Sequence, residues 1–223
     1  MDAITFIIPS IGRDSLKNTI RSLLNQTSDN WKAIIIFDGC KNTLDKNDYN
    51  EKCTFYEIDK TKCVINQASD VRNYGIKYAN TKWVGFLDDD DTISRDYVEY
   101  FLNQYTIFNF DLFIYRMINK DLTILPSLLS KDIIPCDIGI SFIVKRTIFD
   151  SIQFKNSHCE DYDFLNLVKK NKNLILINNT IKYFVKSNEE DYLEEQLEYG
   201  DYYKIFINGT NPFIYLHYFH KLL

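Results

Sequence analysis

Trp83-Val84-Gly85-Phe86-Leu87-Asp88-Asp89-Asp90-Asp91 decides how this chain is read. An apolar run with the look of a buried strand passes straight into four carboxylates. Strands of a parallel sheet are covered on both faces, so they read as unbroken apolar runs of this kind. Ligands of such sheets sit beyond the carboxyl ends of the strands, where these aspartates would stand. Adjacent carboxylates repel one another. A hard divalent cation relieves that repulsion through oxygen ligands, commonly beside a substrate diphosphate when the ion is Mg²⁺ or Mn²⁺. The plainer reading is a solvated acidic loop that caps the next helix through Asp91 or Ser94. The position directly after a buried strand favours the site.

The same pattern recurs outward from this segment. An apolar run at 4–8 is stopped by Pro9, and Leu16, Ile20, Leu23 and Leu24 follow at helical spacing behind Asp14 or Ser15. A second run at 33–37 ends at Asp38-Gly39, and a third, Cys53–Ile58, precedes a helix predicted over 66–79. Another helix is predicted over about 95–108. This alternation predicts an α/β fold, a mostly parallel twisted sheet with helices on both faces. Residues 10–13, 38–39 and 88–91 follow successive strands and should converge on one rim. The second half is less regular. Strands are predicted at Leu112–Ile118, 122–125 and 138–144, then a helix at Glu160–Lys170. Two further strands, 174–177 and 181–185, should flank a turn at Asn178-Asn179.

Composition narrows the classes. The chain has 223 residues, 45% hydrophobic and 26% charged, which excludes a disordered or fibrous protein and suits one domain over 1–223. The formal net charge of -5 argues against a polyanion as main partner, so no nucleic acid is expected. Cys40, Cys53, Cys63, Cys136 and Cys159 form no CxxC pair and are odd in number, which suggests neither a zinc site nor a disulfide framework. A reducing compartment fits best. The start lacks a basic n-region and a membrane-length apolar run, so a cytoplasmic location without a transmembrane segment is expected. Asn-x-Thr triplets at Asn25, Asn178 and Asn208 then read as chance.

Several blocks resemble one family. Residues 4–10, Ile-Thr-Phe-Ile-Ile-Pro-Ser, followed by Gly12-Arg13 and by Ser22-Leu23-Leu24-Asn25-Gln26-Thr27, look like the opening of GT-A glycosyltransferases of family 2. Phe37-Asp38-Gly39-Cys40 stands in place of that family's Asp-Asp-Gly-Ser, and Val71-Arg72-Asn73-Tyr74-Gly75 is similar to its Ala-Arg-Asn-x-Gly. Phe86-Leu87-Asp88-Asp89-Asp90-Asp91 resembles Phe-Leu-Asp-x-Asp-Asp, and Glu160-Asp161 resembles the Glu-Asp acceptor motif. The blocks keep the family's order over about residues 4 to 170.

The resemblance implies an inverting, metal-dependent transfer, with Mn²⁺ or Mg²⁺, of a sugar from a nucleotide-diphosphate donor to a hydroxyl of a glycan or glycoconjugate. Uridine is the first base implied, with guanosine and thymidine behind it. Residues 1–110 would form the donor half, 111–188 the acceptor half and 189–223 a helical, apolar tail. Asp38 would hydrogen-bond the base, with Pro9 and Ser10 shaping its pocket. Arg72 would border the nucleotide, or else pair with the aspartate loop. Asp88 and Asp89 would lie near the ribose, and Asp90 would ligate the metal. Asp161 would be the general base, unless it or Glu160 is only a helix cap. Phe37 departs from the family's base-binding pair. Tyr183-Phe184-Val185-Lys186-Ser187 lacks the histidine often found there, and Lys186 reads first as a solvated lysine. His158 could approach the acceptor or leaving group but, as a lone histidine beside a helix start, reads first as structural, and His217 and His220 read as packed or solvent-facing.

Other classes remain open at this stage. Asp88-x-Asp90-x-Thr92-Ile93 also fits the nucleophile motif of haloacid-dehalogenase-type phosphatases, with Asp88 as nucleophile and Asp90 as acid/base. That motif normally follows the first strand of its domain, whereas here three strand-like runs come before the motif's own strand. A nucleotidyltransferase would need a glycine-rich loop that 9–13 lacks. A non-catalytic sugar-binding protein is the third class. The apolar tail would cover the core edge, pair two subunits in a homodimer or rest on a membrane surface.

Overall fold

The computed structural model describes residues 3–44, 49, 51–61 and 67–188. The tail at 189–223, with His217 and His220, lies outside the described residues, as do Cys63 and the first residue of the helix expected at 66–79.

The expected strands of the first half form β1 (Ile4–Ser10), β2 (Trp31–Asp38), β3 (Cys53–Ile58) and β4 (Trp83–Phe86), all parallel in the order β3-β2-β1-β4. Helices α1 (Leu16–Leu24), α2 (Gln67–Ile76) and α3 (Tyr97–Ile107) alternate with them. β1 does not stop at Pro9 but continues to Ser10. Ile7 turns its carbonyl to β4, where it accepts from Leu87 N at 3.2 Å. By the two-residue period Pro9 faces the same side, beyond the last β4 partner, so its missing N–H is not needed.

Alternation along β1 sets the layers. Ile7 meets α2 at Gly75, while Phe6 meets Tyr97 of α3 with ring centroids 5.9 Å apart. Helices therefore cover both faces, as the apolar strands require. Buried side chains of β1, β2, β4, α1 and α3 form the core there.

The second half extends the same sheet with mixed polarity. β8 (Phe142–Lys145) is antiparallel to β4 and to β6 (Leu112–Ile118), and β9 (Ile175–Phe184) is parallel to β6. Two strands are very short. β5 (Thr92–Ile93) pairs antiparallel with β9, and β7 (Ile124–Leu125) with β6. Helix α4 (Glu160–Lys170) stacks Phe164 on Phe142, Phe149 and Phe154.

The sequence reading needs correction elsewhere as well: the strand expected at 122–125 is only Ile124–Leu125. β8 begins at Phe142, not at 138. The Asn178-Asn179 turn is instead an irregularity inside one continuous β9, where the register against β6 shifts. Asn178 Oδ1 accepts from Thr180 N at 2.8 Å, and Asn179 Oδ1 accepts from Arg116 Nη2 at 3.0 Å, so side chains satisfy what the ladder skips. The cap of α3 is Asp96, so neither Asp91 nor Ser94 caps it.

Candidate functional site

The strand order reverses between β1 and β4, and crevices in open α/β sheets form at such a point. Here the three expected loops do converge. Pro9, Ser10, Asp38, Asp88, Asp89 and Asp90 line one cavity of about 240 Å³, along with Ala68 and Val71 of α2. Arg72 and Asp161 are not among its lining residues.

The four aspartates do not form a solvated loop. Asp89 and Asp91 are each 3% exposed. Each carboxylate has its own surroundings. Ser10 Oγ donates to Asp89 Oδ2 at 2.8 Å, Ile11 N donates to the same oxygen at 3.2 Å, and Arg13 Nη1 reaches Oδ1 at 2.6 Å. Tyr183 Oη donates to Asp91 Oδ2 at 2.7 Å, and Lys186 N to Oδ1 at 2.9 Å. Burial, with Asp88 and Asp90 nearby, still pushes the Asp91 carboxyl up to about 7. Asp88 pairs with Arg72. Asp90, 21% exposed in its side chain, has a 3.4 Å contact with Arg13 as its ion pair.

This division bears on a metal. Among the described residues no group of three or more His, Cys, Asp or Glu is arranged to hold an ion. Mg²⁺ and Mn²⁺ sites beside phosphates often take only one or two protein carboxylates, the rest coming from phosphate and water. Asp90, with the partly exposed Asp88 beside it, fits that donor set.

Asp38 ends β2 and is 4% exposed. Its Oδ1 accepts from Thr61 N at 2.7 Å and its Oδ2 from Thr61 Oγ1 at 3.0 Å. Gly39 turns the chain away with φ +70°, where a Cβ would stand 2.6 Å from Lys60 Cδ.

Arg72 sits on α2 and is 2% exposed. Of the two roles read from the sequence, the structure displays the pairing. Nη2 donates to Asp88 Oδ1 and Nη1 to Glu160 Oε1, both at 2.7 Å. Burial pulls the guanidinium down, but Asp88, Asp161 and Glu160 outweigh it and raise it above its ordinary range. One buried cation thus ties the aspartate loop to the start of α4.

Asp161 occupies the first turn of α4, but the cap is Cys159, and it makes no side-chain cap bond. Neither Glu160 nor Asp161 is the helix cap. Asp161 Oδ1 lies 3.8 Å from Arg72 Nη1, is closed to solvent and accepts no hydrogen bond, although the side chain as a whole keeps 22% exposure. Arg72 favours Asp88 and Glu160 by more than an ångström. Burial therefore dominates and pushes the Asp161 carboxyl up to about 7, with Glu160 and Asp88 adding to the rise.

Tyr183 is the residue that sequence reasoning missed. It accepts from Asp88 N at 3.2 Å as it donates to Asp91, fastening β9 to the aspartate loop. Its only sequence signal was a tyrosine inside the last apolar run. The haloacid-dehalogenase reading does not survive: Asp88 follows the fourth strand, and its carboxylate is held by Arg72.

Comparison with known proteins adds the family. The model of "Glycosyl transferase family 2" matches residues 5–174. WfgD of Escherichia coli, a UDP-Glc:α-D-GlcNAc-diphosphoundecaprenol β-1,3-glucosyltransferase, is 24% identical over 194 residues, 78% of this chain and 73% of that protein. EpsH of Bacillus subtilis, a putative glycosyltransferase, is 35% identical over 91 residues, but these are 25% of its length. S. aureus TarS 1-349 in complex with UDP superposes with a TM-score of 0.67 at 17% identity, over 86% of this chain and 62% of that one. The chain thus spans less than two thirds of TarS 1-349, and the likeness to it is one of GT-A fold.

Proposed function

The chain belongs to glycosyl transferase family 2, and from that premise we propose that it transfers a sugar from UDP to a hydroxyl of a glycan or glycoconjugate, inverting the anomeric carbon. The observation that carries the reading is the Arg72 bridge. It draws a cavity edged by Asp88, Asp89 and Asp90 against a second acidic group, Glu160 and Asp161. Donor and acceptor chemistry need two such groups. The solved complexes of TarS with UDP and with UDP-GlcNAc, and the UDP-glucose donor in the name of WfgD, support uridine as the base.

In this reading Asp38, Pro9 and Ser10 receive the nucleoside, with Asp88 and Asp89 towards the ribose. Asp90 would hold Mn²⁺ or Mg²⁺, which supplies charge neutralisation for the leaving diphosphate. The acceptor oxygen forms its bond to the anomeric carbon as the bond to the diphosphate breaks on the opposite side. Asp161 accepts the hydroxyl proton, a role that a carboxyl near 7 fills well at neutral pH. Arg72 keeps Asp88 and Glu160 in place at the border of the nucleotide site. A lipid-linked sugar is the acceptor class that the WfgD name suggests.

A thermal-shift panel tests the donor side. Ligand at about 100 times its Kd stabilises by about 2.7 kcal/mol, roughly 5–10 °C for a chain of this size. UDP with Mn²⁺ should give a shift of that order, EDTA should remove most of it, and Asp90→Asn should do the same. Asp38→Ala should weaken the UDP response. Equal stabilisation by UDP with EDTA and in Asp90→Asn would refute the metal assignment. No response to any nucleoside diphosphate would refute the donor reading.

A further inference from the structure

Two arginines bond to the run of aspartates, and they are held in different ways. Arg72 is buried and fixed by 2.7 Å bonds to Asp88 and to Glu160. Arg13, in the loop between β1 and α1, keeps 48% of its side chain exposed and lines the cavity of about 240 Å³. Both of its carboxylate contacts use Nη1, at 2.6 Å to Asp89 Oδ1 and 3.4 Å to Asp90 Oδ2.

The loop that carries Arg13 is held without these contacts. Ser10 Oγ and Ile11 N both donate to Asp89 Oδ2, and Ser10 Oγ accepts from Gly12 N at 3.0 Å. Gly12 has φ 84°, and a Cβ there would stand 3.3 Å from Cys40 Sγ. The backbone is therefore fixed, while the guanidinium stands at the end of a long side chain, partly in water.

Charge decides what this arrangement does. Asp90 is the carboxylate proposed above for Mn²⁺ or Mg²⁺, and its Oδ2 already faces a guanidinium. A divalent cation arriving alone meets that like charge with no anion to separate the two. A donor diphosphate brings such an anion, and the planar guanidinium matches phosphate oxygens with paired N–H groups. Asp89 Oδ1 loses its donor when Arg13 turns away, and a ribose hydroxyl, set towards Asp89 in the reading above, replaces it.

We propose that Arg13 is a placeholder cation, which occupies Asp89 and Asp90 without donor, opposes uptake of free metal there, and turns to the diphosphate when donor and metal bind together. Metal uptake is then conditional on the donor. The inference rests on the donor reading proposed above, with Asp90 as the metal carboxylate.

The test follows Mn²⁺ binding to the full chain through loss of the free-ion electron paramagnetic resonance signal, and UDP binding by titration at saturating Mn²⁺. Wild type is compared with Arg13→Gln, which still donates to Asp89 but carries no charge, and with Arg13→Lys, which keeps the charge. Melting curves verify that each variant is folded. Mn²⁺ alone should bind Arg13→Gln roughly 10-fold tighter than wild type, and UDP with Mn²⁺ roughly 10-fold weaker, the scale of a hydrogen bond to a charged group. Arg13→Lys should bind Mn²⁺ alone about as weakly as wild type. The opposite signs are the signature, because a merely structural role would weaken both in Arg13→Gln. Equal Mn²⁺ affinity in wild type and Arg13→Gln, or both affinities weakened together, would overturn the placeholder. If wild type itself shows no metal-dependent UDP binding, the donor reading fails and takes this inference with it, a result distinct from any difference between the variants.

Discussion

A carboxylate oxygen shut away from water without a hydrogen bond, as Asp161 Oδ1 is, favours the protonated form. With the carboxyl pushed up to about 7, transfer should rise with pH through about 7, because only the ionised group can take the acceptor's proton. The pH dependence of kcat/KM checks this, and an acid limb near the unperturbed 3.8 would contradict it. Stability should move the other way. The folded state holds this proton more tightly than the unfolded chain, so the contribution present below 3.8 is lost as pH rises through about 7. Asp161→Asn, neutral throughout, should therefore melt above the wild type at pH 8, with the gap narrowing as pH falls towards 4. Melting curves at both pH values decide it. A lower melting temperature at pH 8 would mean that the carboxylate holds the fold together.

At the scale of elements, α2 controls how close Arg72 comes to the sheet. A Cβ on Gly75 would stand 2.7 Å from Ile36 Cδ1 and 2.8 Å from Ile7 Cγ2. Gly75→Ala should push α2 outward at an overpacking cost of about 1–3 kcal/mol, offset in part by alanine's helix preference of about 0.5–1 kcal/mol. Arg72 lies one turn earlier, so UDP affinity should weaken together with stability. A denaturant melt and a UDP titration measure both, and unchanged values would show that the isoleucines yield. Elements of this kind were legible in the sequence. β1, β2 and β4 are continuous apolar runs, and α4 was bounded correctly by its acidic start and lysine end. β9 was not, because the register shift at 178–180 depends on pairing with β6, which no local pattern carries. β5 has two residues, too few for any period to be read. Ile138 and Ile140 carried the apolar pattern of a strand, but the ladder begins at Phe142. The motif aspartates were legible as a group, and Arg72 as a partner of their loop, while the other partners were not. Tyr183 on β9 and Arg13 in the loop after β1 are brought to them only by the tertiary fold.

For the molecule as a whole, one sheet runs from the first half of the chain into the second, and Arg72 crosses between their acidic groups. Among the described residues no helix is long and apolar enough to cross a membrane. The central claim is that the two acidic groups divide the chemistry, so one can be disabled while the other still works. The most direct measurement is the transfer rate of Asp161→Asn with a UDP-sugar donor and Mn²⁺ saturating, beside the stabilisation that the same donor produces. Transfer should drop at least ~10²-fold, the usual cost of losing a positioned base, with donor stabilisation unchanged. Near-native transfer in a folded Asp161→Asn protein would contradict the account.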